Sequence, residues 1–299
     1  MTGRKWVRRS LRHLSGDLHK QGHQACPNTV GRLLRKQKFS LKSNRKGQSG
    51  KSHPDRDLQF RHIQRQRKRF TNAGLPVVSV DAKKKELVGN FKNPGVAWCH
   101  AAEAVNTYDF IHDAQCRATP YAVYDLNRNR GTVAVGVSAD TAQFATDCLH
   151  HWWQAEGHQA YPQARQLLVL ADGGGSNGHR SRLFKASLQQ FVNHSGVAVT
   201  VCHYPTGASK WNPVEHRLLS QISRNWAGQP LRSLETMLHY IRGTSTTTGL
   251  RVRAWLNPKT YPTKVKVSDA DMKLLHLQRL PTCPAWSYTI QPQPFPSGP

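Results

Sequence analysis

Acidic residues are scarce in this chain of 299 residues. Only 17 Asp and Glu stand against 43 Lys and Arg, so the formal net charge is +26 with histidine neutral. Long apolar runs are lacking too: no window approaches the ~18 apolar residues of a membrane-spanning helix, so no membrane partner is expected. The six cysteines include no C-x-x-C pair. This argues against zinc ribbons, zinc fingers and thioredoxin-like chemistry, and it favours reduced thiols in a cytoplasmic protein.

The positive charge is concentrated at the start of the sequence. Residues 1–70 hold 20 Lys and Arg against 3 acids, whereas residues 71–299 hold 23 against 14. A basic arm before a domain of ordinary charge balance indicates a polyanionic partner, most often nucleic acid. A solvated basic tail is the alternative. Apolar residues make up 37% of the chain, which suffices for a folded core and excludes wholesale disorder.

Two short helices are predicted within the basic arm. Val7, Leu11, Leu14 and Leu18 recur at helical spacing, and a break around Gly22 precedes a second apolar stripe. Two short helices around such a turn are typical of a helix-turn-helix, whose second helix enters the major groove. The predicted DNA contacts are Asn28, Thr29 and Arg32 at base edges, with Arg35 and Lys36 nearer the phosphates. A basic hairpin packed on the main domain is the alternative.

From residue 76 onward the pattern indicates an α/β domain with a mixed sheet. Apolar, β-rich runs predict strands, and amphipathic periodicity predicts helices between them. The predicted strands are 76–80, 121–126, 132–137, 166–171 and 197–202, and the predicted helices are 139–153, 180–192 and 212–226. The insertion at 82–119 and the proline-rich tail at 280–299 are left without a structural assignment.

Three acids in this domain predict a metal site. Asp81 and Asp172 each follow an apolar strand, and parallel neighbouring strands would bring both carboxylates to one sheet edge. Glu215, early on a predicted helix, can complete the cluster. Three carboxylates repel one another unless cations lie between them, and oxygen ligands favour Mg²⁺ or Mn²⁺. A pair of such ions supports hydrolysis or transfer at a phosphodiester.

Each acid also has a structural interpretation. Asp81 can be an ordinary strand-end residue, and Asp172 can open the turn into the following glycines. Glu215 fits a capping box in which Asn212 is the N-cap. The loop 173–178 also matches a dinucleotide fingerprint and, centred on its serine, a nucleophile elbow. Both are disfavoured, because no acid lies between Asp172 and Glu215 and no suitable downstream triad follows.

Four segments carry distinctive motifs: VVSVDAKKKELVGNFKN at 77–93, YAVYDL at 121–126, LADGGGSNG at 170–178 and HYPTGASKWNPVEHRL at 203–218. Together they closely resemble the Rhodopirellula-type DDE transposases of bacterial insertion sequences. The resemblance extends over about residues 6–290. It implies an RNase H-like fold and a DDE triad at Asp81, Asp172 and Glu215 that binds two Mg²⁺, with Mn²⁺ as a substitute. It further implies DNA contacts at Lys83, Lys84, Lys85, Lys210 and Trp211.

The implied activity is cleavage of an element's ends followed by strand transfer into target DNA, with water and then a 3′ hydroxyl as the attacking group. A homodimer on paired ends and a nucleoid-associated cytoplasmic location are expected. The predicted divisions are an incomplete helix-turn-helix region at 1–41, a basic linker and helix at 42–75, the catalytic domain at 76–243 and an extension at 244–299. Two alternatives remain: a truncated, catalytically silent DNA-binding relative, and a nuclease without strand transfer.

Overall fold

The structure is a computed structural model that describes residues 9–41 and 53–293. The chain divides into two compact units, residues 1–51 and residues 52–299. Val7 and most of the predicted linker lie outside the described residues. No helix in the described ranges is long and apolar enough to cross a membrane.

The first unit contains the two predicted helices, α1 (Leu11–Lys20) and α2 (Pro27–Lys36). Ser10 caps α1 by accepting a hydrogen bond from the His13 N–H at 3.2 Å, and Gly22 supplies the left-handed turn with φ +84°. The prediction of two helices around a glycine turn is confirmed. The side chains predicted to contact DNA line α2: Asn28, Arg32, Arg35 and Lys36 are exposed, and Thr29 is half-buried.

Nine strands in the described part of the second unit join one mixed sheet. Their order is β7-β4-β3-β1-β5-β6-β9-β8, and β2 pairs with β3 at the side. The strands are β1 (Val77–Ala82), β2 (Glu86–Val88), β3 (Cys116–Asp125), β4 (Arg130–Gly136), β5 (Gln166–Ala171), β6 (Ala198–His203), β7 (Arg251–Asn257), β8 (Leu277–Arg279) and β9 (Ser287–Ile290). Strands β1, β3 and β4 are antiparallel neighbours, whereas β1, β5 and β6 run parallel. The predicted α/β fold with a mixed sheet is confirmed.

Helices cover both faces of this sheet. They are α3 (Arg56–Asn72), α4 (Ala142–Trp152), α5 (His158–Ala160), α6 (Arg182–Ser195), α7 (Ser220–Asn225), α8 (Leu234–Arg242) and α9 (Asp269–Lys273). Phe144 of α4 and Leu188 of α6 pack with Val78 and Val80 in one buried cluster. Residues of α3 share a second buried cluster with Val77 on the other face. The alternation along β1 therefore places Asp81 on the face opposite α4 and α6.

The structure extends several predicted elements and adds others. Strand β1 continues to Ala82, so Asp81 lies inside a strand rather than beyond its end. The tail left unassigned in the sequence contributes β9, which pairs antiparallel with β6. Three strands, β7, β8 and β9, thus come from the region predicted to be a C-terminal extension. The 82–119 insertion contains β2, a short 3₁₀ helix at Ile111–Asp113 and the first residues of β3.

Candidate active site

Two predicted catalytic acids meet at adjacent positions of parallel strands. Strand β1 pairs with β5 in a register that sets Val80 opposite Ala171. The residue that follows each of these two is an acid: Asp81 on β1 and Asp172 just after β5. The expectation that the two strands are parallel neighbours is confirmed, and it brings two carboxylates from distant parts of the sequence to one sheet edge.

The third acid, Glu215, enters from the helical segment that follows β6. It begins a π-helical turn, Glu215–Leu219, directly before α7. Its carboxyl group lies close enough to Asp81 to help raise the pKa of that side chain. Single π-helical turns inside longer helices occur frequently at functional sites. The segment therefore carries an acid toward the same edge that β1 and β5 supply.

The capping box considered for Glu215 is not formed, because the Asn212 side chain forms its hydrogen bonds with residues of β1. The Asn212 side chain is fully buried and donates to Asp81 Oδ2 at 3.4 Å, while its Oδ1 accepts from the Ser79 hydroxyl. Ser79 Oγ in turn accepts from the Val214 N–H at 3.1 Å. Strand β1 thus supplies the cap of this helical segment. We interpret Asn212 and Ser79 as the link that fixes Glu215 relative to Asp81, a role the sequence pattern did not reveal.

Charge repulsion and burial raise the pKa values of two carboxyl groups at this site. Burial, together with the nearby charges of Asp172 and Glu215, raises the pKa of Asp81 to about 8. Burial also raises the pKa of Asp172, although the Gly174 N–H partly offsets this by donating to Asp172 Oδ1 at 3.2 Å. Carboxyl groups displaced in this direction lack compensating positive charge. The site is therefore one in which a bound cation would relieve an existing electrostatic cost.

A fourth carboxyl group, Asp140, lies close enough to influence the same site. Its charge contributes to the raised pKa of Asp172. The pKa of Asp140 is itself raised by burial, and the nearby positive charge of Lys85 partly offsets this rise. The sequence signal for Asp140 is weak, because an acid just before a helix usually reads as a capping residue. Thr141 is the cap observed there, and it accepts from the Phe144 N–H at 3.2 Å.

The donor chemistry of the site fits a divalent cation. Three carboxylates offer the oxygen ligands that Mg²⁺ and Mn²⁺ prefer. In residues 9–41 and 53–293, however, no three His, Cys, Asp or Glu side chains already stand in an arrangement that could hold a metal ion. Binding a cation there would therefore require the three carboxyl groups to rearrange.

The glycine loop after Asp172 leaves its outer edge open. An added Cβ at Gly174 or Gly175 would meet nothing within 4 Å, and Gly175 adopts the left-handed conformation with φ +64°. Ser176, the centre of the nucleophile-elbow match, is half-buried, and its hydroxyl oxygen has no hydrogen-bond partner among the described residues. The open edge agrees with close approach of a backbone ligand to Asp172.

The three lysines that follow Asp81 in the sequence differ in how exposed their side chains are. Lys83 bonds Glu86 at 2.5 Å, and its ammonium lies 5.0 Å from the Trp226 ring centroid. Its side chain is only 13% exposed, so this lysine is engaged within the protein. Lys84 is 73% exposed, and Lys85 is exposed as well. The predicted lysine run thus presents two of its three ammonium groups outward.

Trp211 and Lys210 form a second exposed group, directly before the segment that carries Glu215. The Lys210 Nζ lies 4.1 Å from the Trp211 ring centroid, and Arg56 Cζ of α3 lies 5.6 Å from the same ring. Phe60 packs edge-on against it at 5.6 Å between ring centroids. Nearly half of the Trp211 surface is exposed. An aromatic face flanked by two cations is suited to stacking and phosphate contact.

The structure is thus a mixed α/β fold in which two acids lie at neighbouring positions of the central parallel strands and a third lies close by. The family described as "Rhodopirellula transposase DDE domain" matches residues 1–292. The chain belongs to this family of DDE transposases, which confirms the resemblance seen in the sequence motifs. No curated protein matches the chain significantly.

Solved structures of Mos1 transposase are distant relatives in shape. One is described as the Mos1 paired-end complex with left transposon end; it is 14% identical, with 82% of this chain and 77% of that chain covered and a TM-score of 0.46. The Mos1 strand transfer complex is also 14% identical, with 81% and 71% covered and a TM-score of 0.48. The Mos1 paired-end complex with Mn is 13% identical, with 81% and 72% covered and a TM-score of 0.47.

Proposed function

We propose that this chain is the transposase of a bacterial insertion sequence, with Asp81, Asp172 and Glu215 as its catalytic acids. It would cleave the ends of its element and join them to target DNA, using two Mg²⁺ ions or Mn²⁺ in their place. The observation that carries the proposal is the parallel pairing of β1 with β5, which aligns Asp81 with Asp172. Glu215, whose charge helps raise the pKa of Asp81, is the third acid.

The three acids would hold the cations and so place a phosphodiester between them. When bound, divalent cations neutralise the developing charge and activate the attacking oxygen for in-line displacement. Asn212 keeps Asp81 oriented through its carboxamide. The open glycine edge beside Asp172 gives the DNA backbone access to the site. The residues of the chain would thus hold the cations, orient Asp81 and admit the DNA backbone. These are the protein's tasks in metal-assisted phosphodiester chemistry.

DNA binding would use both units of the chain. On α2, Asn28, Thr29 and Arg32 would read base edges, while Arg35 and Lys36 contact phosphates. Beside the acids, Lys84, Lys85 and Lys210 would contact phosphates, Trp211 would stack on a base, and Lys83 would contribute less because it is already paired with Glu86. The net charge of +26 supports a polyanionic partner. Two copies acting on paired ends, near the nucleoid, complete the proposal.

The direct test is a cleavage and strand-transfer assay on DNA that carries the sequences flanking the gene. The native chain and Asp172→Asn are compared in Mg²⁺, in Mn²⁺ and in EDTA. We expect metal-dependent nicks at the element boundaries and joined products with the native chain. We expect DNA binding without nicks with Asp172→Asn, because the amide cannot replace a negatively charged ligand.

The other outcomes separate the alternatives. Binding without any cleavage by the native chain would support a catalytically silent relative. Nicks without joined products would indicate a nuclease. Cleavage that survives Asp172→Asn would remove this acid from the active site and contradict the assignment of the triad.

A further inference from the structure

The loop that carries Asp172 away from β5 is rich in glycine and needs external support. Gly173, Gly174, Gly175 and Gly178 supply four of its six residues at 173–178. Glycine has no side chain to pack and loses the most backbone freedom on folding. A loop of this composition does not hold a carboxylate in one place unless groups outside it provide fixed points.

Asn177 is the residue at which the surrounding fold secures this loop. It is 1% exposed, in contrast to the open surroundings of Gly174 and Gly175. Its side-chain Oδ1 accepts a hydrogen bond from the Tyr121 hydroxyl of β3 at 2.7 Å. Its main-chain oxygen lies 2.8 Å from Nε2 of His203, at the end of β6. The loop is therefore held at one point by two strands that lie on opposite sides of the β1–β5 pair.

The imidazole ring of His203 contacts two main-chain carbonyl oxygens, one of which belongs to Asn177. Both ring nitrogens face carbonyl oxygens, Asn177 O and Trp286 O, at 2.8 and 2.9 Å. Burial lowers the pKa of His203 to about 4, so the ring carries a single proton near neutral pH. Trp286 O already accepts the His203 main-chain N–H at 3.0 Å. We therefore assign the ring proton to Nε2, which donates to Asn177 O.

We propose that Asn177, held by Tyr121 and His203, is a positioning residue that fixes Asp172 for cation binding. The inference rests on the proposed function only for the role of Asp172. Asn177 does not touch the reacting atoms in this account. It acts through the loop, whose Gly174 N–H binds the Asp172 carboxylate at 3.2 Å. Loss of the fixed point would loosen that N–H and the carboxylate together.

The chain offers a matched pair of variants for the test. Tyr121→Phe removes the hydroxyl that binds Asn177 and retains the ring that packs edge-on against Phe144. Tyr288→Phe removes a second buried hydroxyl from the same sheet. The Tyr288 hydroxyl has no hydrogen-bond partner among the described residues, so its loss leaves the loop untouched. The two variants share the chemical change and differ in whether Asn177 loses a bond.

Two measurements on the full chain decide the question. The first is amide hydrogen exchange at Gly174, which we expect to be faster in Tyr121→Phe and unchanged in Tyr288→Phe. The second is Mn²⁺ affinity, followed by electron paramagnetic resonance of free Mn²⁺. We expect about tenfold weaker binding in Tyr121→Phe, in the range seen when an outer partner of a metal ligand is lost. Cleavage by this variant should then recover as Mn²⁺ is raised.

The outcomes separate this inference from the proposed function. Wild-type exchange at Gly174 in Tyr121→Phe would overturn the role of Asn177, whatever the metal result. Faster exchange with unchanged Mn²⁺ affinity would reduce Asn177 to a structural loop contact and would also overturn the proposal. If the wild-type chain neither binds Mn²⁺ nor cleaves, the proposed function fails. Faster exchange in Tyr121→Phe would then still support Asn177 as the anchor of the loop.

Discussion

The two units of the chain assemble their candidate functional residues in different ways. In the first unit the predicted DNA contacts, from Asn28 to Lys36, lie on one ten-residue helix. In the second unit Asp81, Asp172 and Glu215 are 91 and 43 residues apart in the sequence. Sheet register and one buried asparagine bring them together. A local set of contacts tolerates changes elsewhere, whereas a non-local site depends on every element that positions it.

The two units also differ in how many apolar side chains they bury. Among the described residues of the first unit, Val30 is the one apolar side chain that is fully buried. The second unit buries β1, β3, β5 and β6 between helices on both faces, with most of their apolar residues almost inaccessible. Chemistry that needs carboxyl groups held in a water-poor setting is thus confined to the second unit. The first unit offers an exposed basic surface, which suits binding. Substitutions in the two units should therefore affect different steps.

The largest effect is expected from Glu215→Gln. This change removes a charge from the triad and leaves the shape of the side chain nearly intact. Cleavage should fall by at least about 100-fold, more than the usual loss for an outer partner of a metal ligand, while DNA affinity stays constant. Cleavage and gel-shift assays measure both. Glu235→Gln, at an exposed acid in the first turn of α8, is the control. Similar losses in the two variants would remove Glu215 from the site.

A smaller effect is expected from Asn212→Asp. The new carboxylate loses the N–H that donates to Asp81 and adds a negative charge beside it. We expect cleavage to fall by about 10-fold to 100-fold. Asn257→Asp, at another buried carboxamide at the end of β7, is the control for burying an acid. Full cleavage by Asn212→Asp would show that the site does not depend on this link between β1 and the Glu215 segment.

Substitutions in the first unit should change DNA binding and leave cleavage nearly unchanged. Arg32→Ala on α2 should weaken binding to the element ends by about 1–3 kcal/mol, the range for a specific base contact, with little change in cleavage per bound complex. Arg12→Ala on α1 removes the same charge and is the control. If both variants lose affinity equally for specific and unrelated DNA, Arg32 contacts phosphate only. Titration of salt in the same binding assay should show the steep loss expected from counterion release.

The smallest effect concerns stability and pH in metal-free protein. The pKa of Asp81 is about 8 in the folded state and near its ordinary value of about 4 in the unfolded chain. Between these values the folded state holds a proton that the unfolded state releases. The free energy of unfolding should therefore fall as pH rises from about 4 to about 8. Asp81→Asn removes this contribution, so at pH 8 it should exceed the native chain in stability by at least about 1 kcal/mol.

Urea unfolding of the native chain and Asp81→Asn at several pH values measures this difference. Asp109→Asn, at an exposed acid in the 82–119 insertion, is the control and should follow the native curve. Parallel curves for the native chain and Asp81→Asn across the range would show that Asp81 does not bear the predicted electrostatic cost.

Local signals in the sequence predicted much of this structure. Strand β5 was predicted with its observed bounds, Gln166–Ala171, because an apolar run bounded by turn residues marks a buried strand. The two acids at strand ends were found by the same reasoning. Strand β7 was missed because two arginines interrupt its apolar residues, so it lacks the continuous apolar run that marks a buried strand. Its pairing partner is distant in the sequence and leaves no local trace.

The positioning residues were missed for a related reason. Asn212 has the spacing of a helix cap, yet Ser79 of β1 binds its carboxamide and takes the capping role itself. Asn177 looks like an ordinary turn residue within a glycine loop. Its function depends on Tyr121, 56 positions earlier. Local propensity favours the capping and turn interpretations, and only tertiary contact reveals the alternatives.

The central claim is that three acids from distant elements form one cation site. The most direct test measures Mn²⁺ binding to the native chain, Asp81→Asn, Asp172→Asn and Glu215→Gln, with circular dichroism as a check on folding. We predict that the folded native chain binds Mn²⁺ and that each single variant binds it markedly more weakly. Native affinity in any one of the three folded variants would show that its acid lies outside the site, and native affinity in all three would contradict the account.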